Sequence, residues 1–443
     1  MIPFKAGIVG VGKSNCGVVQ YLRQIGMKFH LTVRSDAPVG NEVLKTLEAQ
    51  RLLVGKSQLS DIDEDILFLS PTVHREAKEL LDAKKRGVIL SSDTELFFEK
   101  HKAKKITVTG SDGKSSCTYL IASMLKSFGT DAFPCGNFGV SLSSVIDTKG
   151  IPVIELSSFQ LNYLSPKSDY ALLTNITPNH IDWHGSLDNY ISAKKNLLDG
   201  AKNITADCDT PLAMKVLRGK ELFCAVSANF GYGALRAFVY AKNYLTLNGS
   251  TVLLNGYPYF DTKHALRRES YNIKNYMLAA GTVLNLCNAS AVAEAIEKFR
   301  GLPHRAEYIR TVAGVKYYDS SIDSTPERTI KTLSALNKPS AVIICGKSKG
   351  LSYDDLAKRL PTLTCGAVLM GEVGEEISKK LSKYCPEYCY KTALDMTDAT
   401  KKASELVTDG GAVVLSPSGT SFDAYKNFEE RGEAFKKAVL ELK

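Results

Sequence analysis

The stretch ITVTGSDGKSSCTYLIASMLKSFG, residues 106–129, decides how this chain folds. Ile106 to Thr109 read as a short apolar strand, which runs without a spacer into Gly110-Ser111-Asp112-Gly113-Lys114-Ser115-Ser116. Behind that loop, Cys117, Leu120, Ile121, Met124, Leu125 and Phe128 fall at helical spacing, and Gly129 supplies the stop. A strand that turns through glycines into a helix gathers backbone amides and the positive end of a helix dipole at one point, which suits phosphate. Lys114 adds a charge for the terminal phosphates, and the hydroxyls of Ser115 and Ser116 suit Mg2+. Counted from Gly110 the loop reads GxxGK, shorter than GxxxxGK[ST]; a glycine turn with a surface lysine is the alternative reading.

Short apolar runs alternate with helix-period segments on either side: KAGIVGVG, DILFLS, GVILSS, PVIEL, YALLTN, AVIICG, GAVLMG and GAVVLS. That alternation predicts an α/β chain built on parallel sheets. Between about residues 220 and 262 the pattern changes to apolar/polar alternation with Asn-Gly at 248–249 and 255–256, which predicts a small antiparallel hairpin insertion. At roughly 150 residues per domain the length suggests about three domains. Restarts of the strand pattern divide them as 1–100, 101–300 and 301–443: a Rossmann-like N-terminal domain, a central P-loop ATPase-type sheet and a Rossmann-like C-terminal domain.

Fifty-six Lys plus Arg against 47 Asp plus Glu give a net charge of +9, compatible with anionic small substrates. The basic residues are scattered, without the block or aromatic interleaving of a nucleic-acid footprint, so no nucleic-acid partner is expected. Ten cysteines lack CxxC pairing and read as reduced thiols, and no apolar stretch approaches the ~18 residues of a membrane span. A cytoplasmic protein without membrane insertion is expected.

In an open parallel sheet, loops at the carboxyl ends of neighbouring strands share one crevice. Glu155 ends the strand IPVIE, and His180 follows the strand YALLT, so both are expected to face the phosphate loop. A carboxylate there suits Mg2+ together with phosphate oxygens. His180, Asp182 and His184 also have a spacing that zinc could use, although no further ligand motif lies nearby, and Lys194 and Lys195 by themselves read as a solvated helix face.

These segments resemble the Mur ligases, the ATP-dependent amide-forming enzymes of peptidoglycan precursor synthesis. The resemblance rests on TGSDGKSS (109–116), GNFG (136–139), ELSSFQL (155–161), LTNITPNHID (173–182), SAKKNL (192–197), NIKN (272–275), GLPHRAE (301–307) and LSPSGTSFDAYKNFEERG (415–432), and covers nearly the whole chain. ELSSFQL and SFDxxxNFExRG point within the family to addition of D-glutamate to UDP-N-acetylmuramoyl-L-alanine, with ATP and Mg2+ as cofactors and an acyl phosphate as intermediate. Another Mur-type or folylpolyglutamate-type ligase with a different acceptor is the alternative, and an NADP-dependent oxidoreductase or a nucleotide-gated binding protein lies further off.

By this resemblance Lys114, His180 and Lys194 are catalytic, Lys194 as a carbamate. Gly110, Ser111, Asp112, Gly113, Lys114, Ser115, Ser116, Asn272, Asn275, Arg305 and Asp319 bind the nucleotide, and Ser116, Glu155, His180 and Lys194 surround metal. The UDP substrate is assigned to Ser14, Asn15, Arg34, Ser35 and Ser70 of the N-terminal domain and to Asn137; the amino acid is assigned to Lys349, Ser421 and Phe428. The glycine loop GVGKSNCG (10–17) carries Asn15 where a dinucleotide fingerprint has its third glycine, and LTVRSD offers Arg34 rather than an acid, which argues against NAD. The chain departs from the commonest pattern at Tyr271, at Ser321 in place of a lysine, and at Asp323-Ser324 in place of Thr-Asn. A monomer is expected.

Overall fold

The computed structural model describes residues 4–229, 232–336, 339–348 and 350–442, apart from the side chains of 232–234. It divides into two compact units, Met1–Phe299 and Arg300–Lys443.

The first unit carries two sheets. One is formed by β1 (Phe4–Val9), β2 (Phe29–Ser35), β3 (Arg51–Val54), β4 (Ile66–Leu69) and β5 (Ile89–Ser91), in the order β3-β2-β1-β4-β5 with every pairing parallel. Ile8, Val33, Leu67 and Phe68 are buried in it, as expected for a parallel sheet covered on both faces.

The other has nine strands: β6 (Ile106–Thr109), β7 (Ala132–Gly136), β8 (Ile151–Glu155), β9 (Ser168–Leu173), β10 (Ala201–Asp207), β11 (Leu222–Ser227), β12 (Ala241–Asn248), β13 (Thr251–Leu254) and β14 (Tyr257–Asp261). Their order is β14-β13-β12-β11-β10-β9-β6-β8-β7. From β6 the chain builds β7 and β8 on one side and then crosses to β9 on the other. This reversal opens a crevice outside the carboxyl ends of β6, β8 and β9, where ligands of such sheets bind. The expected antiparallel segment exists, with turns at Asn248-Gly249 and Asn255-Gly256, and both Asn255 (φ +52) and Gly256 (φ +88) are left-handed. It is an extension rather than a separate insertion, because β12 pairs in parallel with β11 and continues the sheet. The helix Lys114–Ser127 packs against the helices Ser270–Thr282 and Ala289–Lys298, burying Leu120, Met124, Met277 and Val292.

The second unit holds β15 (Glu307–Val312), β16 (Val315–Asp319), β17 (Ser340–Cys345), β18 (Gly366–Leu369), β19 (Tyr390–Thr392) and β20 (Ala412–Ser418), ordered β15-β16-β20-β17-β18-β19. Within this sheet, only the edge pair β15/β16 is antiparallel among the described strands. No helix among the described residues is long and apolar enough to cross a membrane.

Candidate active site

The phosphate loop leaves β6 through two glycines at which positive φ and close neighbours disfavour any side chain. Gly110 has φ +151, and a Cβ there would lie 1.9 Å from Thr174 Oγ1; Gly113 has φ +78, and its Cβ would lie 2.5 Å from Asn275 Oδ1. The loop is clamped by the segment after β9. Thr174 Oγ1 and Asn175 Nδ2 donate to the Asp112 carbonyl at 2.6 and 3.0 Å, while Asn175 Oδ1 accepts from the Asp112 amide at 2.9 Å. Ser111 Oγ donates to the Thr177 carbonyl at 3.0 Å, accepts from the Thr177 amide at 2.9 Å and meets the Tyr190 hydroxyl at 2.7 Å. Ser111 is therefore a buried pin of the loop, whereas Asp112 is exposed. Thr174, Asn175 and Tyr190 were not singled out by the sequence reading; only the motif LTNITPNHID hinted at the first two.

Lys114 begins the helix, and its ammonium donates to the carbonyls of Gly110 (3.1 Å) and Ser111 (2.7 Å), folded over the loop that it would complement electrostatically when phosphate is bound. Ser115 and Ser116 sit half-buried in the first helical turn. A cleft of about 140 Å³ at the phosphate loop is lined by Gly110, Ser111, Lys114, Asn137, His180 and Lys194 among others.

Glu155, at the end of β8, is 2% exposed. Its Oε1 accepts from Asn137 Nδ2 at 2.9 Å, and its Oε2 is buried with no hydrogen-bond partner. A buried carboxylate oxygen left unsatisfied is costly unless something else supplies the partner. That vacancy of partners fits a hard divalent cation, which prefers carboxylate oxygen, and the nearby serine hydroxyls are of the same donor class.

Lys194 lies on the helix Leu187–Asp199, 2% exposed. Its amine donates to the Gly110 carbonyl at 2.6 Å and lies 4.7 Å from the Tyr190 ring centre. Burial, reinforced by the charge of Lys114 and only partly opposed by Asp112 and Glu155, holds this amine well below the usual lysine range. The solvated-face reading suits the exposed Lys195 but not Lys194. His180 is exposed, left-handed (φ +53) and packed against Phe159 with ring centres 4.9 Å apart. A zinc grouping with its neighbours does not form: Asp182 is exposed, while His184 is buried with Nε2 3.0 Å from Ser158 Oγ. Among the described residues one group of three His, Cys, Asp or Glu side chains has its ligand atoms within 4.8 Å of one another: His304, Glu307 and Asp319 in the second unit. Its ligand atoms already bond one another or Lys436.

Asn272 and Asn275 are both buried on the helix Ser270–Thr282, and Asn275 abuts Gly113. Asn272 Nδ2 donates to Glu269 at 2.9 Å.

Three of the residues assigned to the UDP substrate have side chains engaged within the fold. Arg34 is fully buried, and all five of its donors are used: by Glu64 Oε1 and Oε2 at 2.9 Å and by the carbonyls of Gln58, Ser60 and Asp61. It is a structural ion pair with no donor left for a ligand. Asn15, 1% exposed, ties the glycine loop together by donating to the carbonyls of Val9 and Gly10, and Ser35 closes onto Ala37. Ser14 and Ser70 remain partly exposed at the same loop.

In the second unit Arg305 is exposed, and Asp319 is buried with both oxygens engaged, by the Ser321 amide and by His304 Nδ1. Ser321 donates to the Phe428 carbonyl and accepts from Arg431 Nε, a buried guanidinium that also donates to the carbonyls of Gly419 and Ser321. Asp323 turns to Thr332 and Ser416 rather than to solvent. Ser421 is buried and Phe428 half-buried beside this network, whereas Lys349 lies outside the described residues.

Comparison with known proteins gives three findings. The Mur ligase middle domain family matches residues 108–293. UDP-N-acetylmuramoylalanine--D-glutamate ligases of Ruminiclostridium cellulolyticum and Clostridium acetobutylicum are 30% and 31% identical, each alignment covering 99% of this chain and 97% of the relative. In fold, the chain resembles the UDP-N-acetylmuramate-alanine ligase MurC of Thermotoga maritima, with a TM-score of 0.57 at 18% identity over 98% of this chain and 99% of that one. A pseudomurein peptide ligase type C of Methanothermus fervidus matches with a TM-score of 0.51 at 13% identity over 99% of this chain and 100% of that one.

Proposed function

The chain belongs to the Mur ligase family, among the UDP-N-acetylmuramoylalanine--D-glutamate ligases, and we propose that it forms the amide between D-glutamate and UDP-N-acetylmuramoyl-L-alanine with ATP as activating reagent. The observation that carries this reading is the cleft at the phosphate loop, lined by Lys114, His180 and the buried Lys194 amine, together with the unsatisfied oxygen of Glu155 at the end of β8.

A carboxylate does not react with an amine directly, because oxide would have to leave. The L-alanyl carboxylate therefore attacks the γ-phosphorus of ATP and ADP departs; the D-glutamate amine then adds to the acyl phosphate carbon, and inorganic phosphate leaves as the amine loses a proton. Both reactants of the first step are anions, so the protein's task is positioning and charge compensation. The amides of Gly110 to Gly113 and the helix end hold the phosphates, and Lys114 moves from the loop carbonyls to the terminal phosphate. Glu155, Ser116 and His180 are the groups to hold Mg2+, which when bound screens the two anions and stabilises the spreading charge. Lys194, whose protonated form burial disfavours, would as the free amine add carbon dioxide and release a proton, giving a carbamate anion able to join Glu155 and His180 in holding the metal. Ser14, Ser70 and Asn137 belong to the UDP substrate, and Lys349, Ser421 and Phe428 to the amino acid. The first 100 residues thus serve the UDP substrate, 101–300 the nucleotide and 301–443 the acceptor, in a monomeric cytoplasmic enzyme.

The test is ADP formation with D-glutamate, L-glutamate, L-alanine, L-lysine or meso-diaminopimelate supplied together with UDP-N-acetylmuramoyl-L-alanine. ADP release that needs both the UDP substrate and D-glutamate is expected. Preference for any other acceptor, or release without either substrate, contradicts the proposal.

A further inference from the structure

Beside the phosphate loop lies a buried charge bridge that the chemistry above does not use. Lys274, on the helix Ser270–Thr282, reaches Asp207 Oδ1 and Asp209 Oδ2 at 2.9 Å each. Asp207 is the last residue of β10 and is fully buried, and the Asp209 side chain is 4% exposed. Asp209 is held in turn by the end of β11 and the residue after it: Ser227 Oγ donates to Oδ1 at 2.5 Å, and the Ala228 amide donates to Oδ2 at 3.0 Å. The Asp209 amide donates to Asp207 Oδ1 at 3.0 Å, while Asp207 Oδ2 is buried without a hydrogen-bond partner.

Two carboxylates against one ammonium make an expensive way to join a helix to a sheet, since apolar side chains of similar volume do so without removing charge from water. Burial pushes the Asp207 carboxyl up, against the pull of Lys274. Burial also acts to raise Asp209, but the bonds from Ser227 and Lys274 outweigh it and hold that carboxyl below its ordinary range. The two acids are thus inequivalent, and the lysine between them is an ammonium whose position is defined at its tip.

What that anchor controls is visible one residue along the helix. The helix has no side-chain N-cap. Asn275 nevertheless must clear the phosphate loop closely, with its Oδ1 2.5 Å from where a Cβ on Gly113 would stand, and it accepts from Cys117 Sγ at 3.5 Å. A small rotation of the helix would drive Asn275 into the loop or withdraw it. We propose that the Asp207–Lys274–Asp209 bridge positions the nucleotide-binding loop, fixing this helix against β10 and β11 so that Asn275 stands beside Gly113. Lys274 and the two acids are positioning residues that act through Asn275. The inference rests on the phosphate-loop reading.

The experiment compares the intact chain with Lys274→Met and with the triple variant Asp207→Asn/Asp209→Asn/Lys274→Met, which folds without stranded charge. Binding of a fluorescent ATP analogue with Mg2+ is measured, together with KM for ATP, KM for the UDP substrate and kcat. Both variants are expected to weaken the analogue and to raise KM for ATP about ten-fold, the equivalent of about 1.4 kcal/mol, with less than about two-fold change in the other constants. Wild-type nucleotide affinity in the folded triple variant overturns the proposal, and so does an equal loss in every constant. A wild-type chain that fails to bind the analogue overturns it together with the phosphate loop. Failure of the ligase reading alone appears elsewhere, as nucleotide binding without substrate-dependent ADP release.

Discussion

In the first unit, the ends of β6, β8 and β9 and the helix Leu187–Asp199 keep polar capacity in reserve: Glu155 Oε2 has no hydrogen-bond partner, the buried Lys194 amine donates to the Gly110 carbonyl, and His180 stands exposed. In the second unit, the loops after β16 and β20 use theirs up. Both Asp319 oxygens, the Ser321 hydroxyl and the guanidinium of Arg431 are bonded within the unit, and Asp323 closes onto Thr332 and Ser416. Both clusters combine acids, bases and hydroxyls at the ends of parallel strands. The difference is that the second cluster is satisfied from within and fixes a shape, whereas the first leaves a carboxylate oxygen for a cation to complete. It also explains how the second unit tolerates its departures, since Ser321 and Asp323 are absorbed into its internal network.

The contrast breaks most sharply at Lys114. Lys114→Ala removes the charge assigned to the terminal phosphates, so ADP formation is expected to fall on the order of 1,000-fold, with stability changed by less than about 1 kcal/mol. Turnover within about ten-fold of wild type in a folded variant would return Gly110 to Lys114 to the reading of a simple turn.

Lys194→Ala is expected to lower turnover on the order of 100-fold, partly restored by added short carboxylic acids that refill an anionic place. Full activity of the variant without bicarbonate contradicts the carbamate. The amine also gives a stability signature. An unfolded lysine stays protonated up to about pH 10.4, whereas the buried Lys194 loses its proton at lower pH. In the window between, the unfolded chain binds the extra proton, so wild type gains stability as pH rises. Lys194→Met lacks this gain, so its stability relative to wild type is expected to decline with rising pH through that window. Urea unfolding followed by the fluorescence of Trp183, the sole tryptophan, reads the first unit directly. Parallel pH profiles for the two proteins would count against a depressed Lys194.

Arg34 sharpens the comparison from the opposite side, because it belongs to the satisfied class although sequence reading assigned it to substrate. Arg34→Ala leaves Glu64 buried and unpaired, and is expected to cost about 3–5 kcal/mol in the same unfolding measurement. Arg34→Met/Glu64→Leu should recover most of that loss. KM for the UDP substrate should stay unchanged in the double variant; a large rise would restore Arg34 to the substrate site.

The parallel core strands were legible in sequence because their apolar runs are continuous: KITVTG, PVIEL, YALLTN, AVIICG and GAVVLS all lie on strands. Strands missed in that reading break the pattern for physical reasons. β7 (AFPCG) is an edge strand containing proline, and β10 (AKNITAD) opens with polar residues. The loop glycines and Glu155 were legible from the order of strand, turn and helix. Arg34 was not, since nothing in LTVRSD announces that Glu64 and three carbonyls will enclose it. The clamp by Thr174 and Asn175 and the bridge at Lys274 depend on β9, β10 and a later helix meeting in space, which no local spacing records.

The claim that the unsatisfied Glu155 oxygen marks the working site meets its most direct test at Glu155→Gln, in which turnover and stability are measured on one preparation. The glutamine keeps an acceptor for Asn137 and removes the buried charge. The account predicts loss of ADP formation on the order of 100-fold, together with unchanged or increased resistance of Trp183 fluorescence to urea. Retention of wild-type turnover, or loss of turnover that only follows loss of the fold, would contradict it.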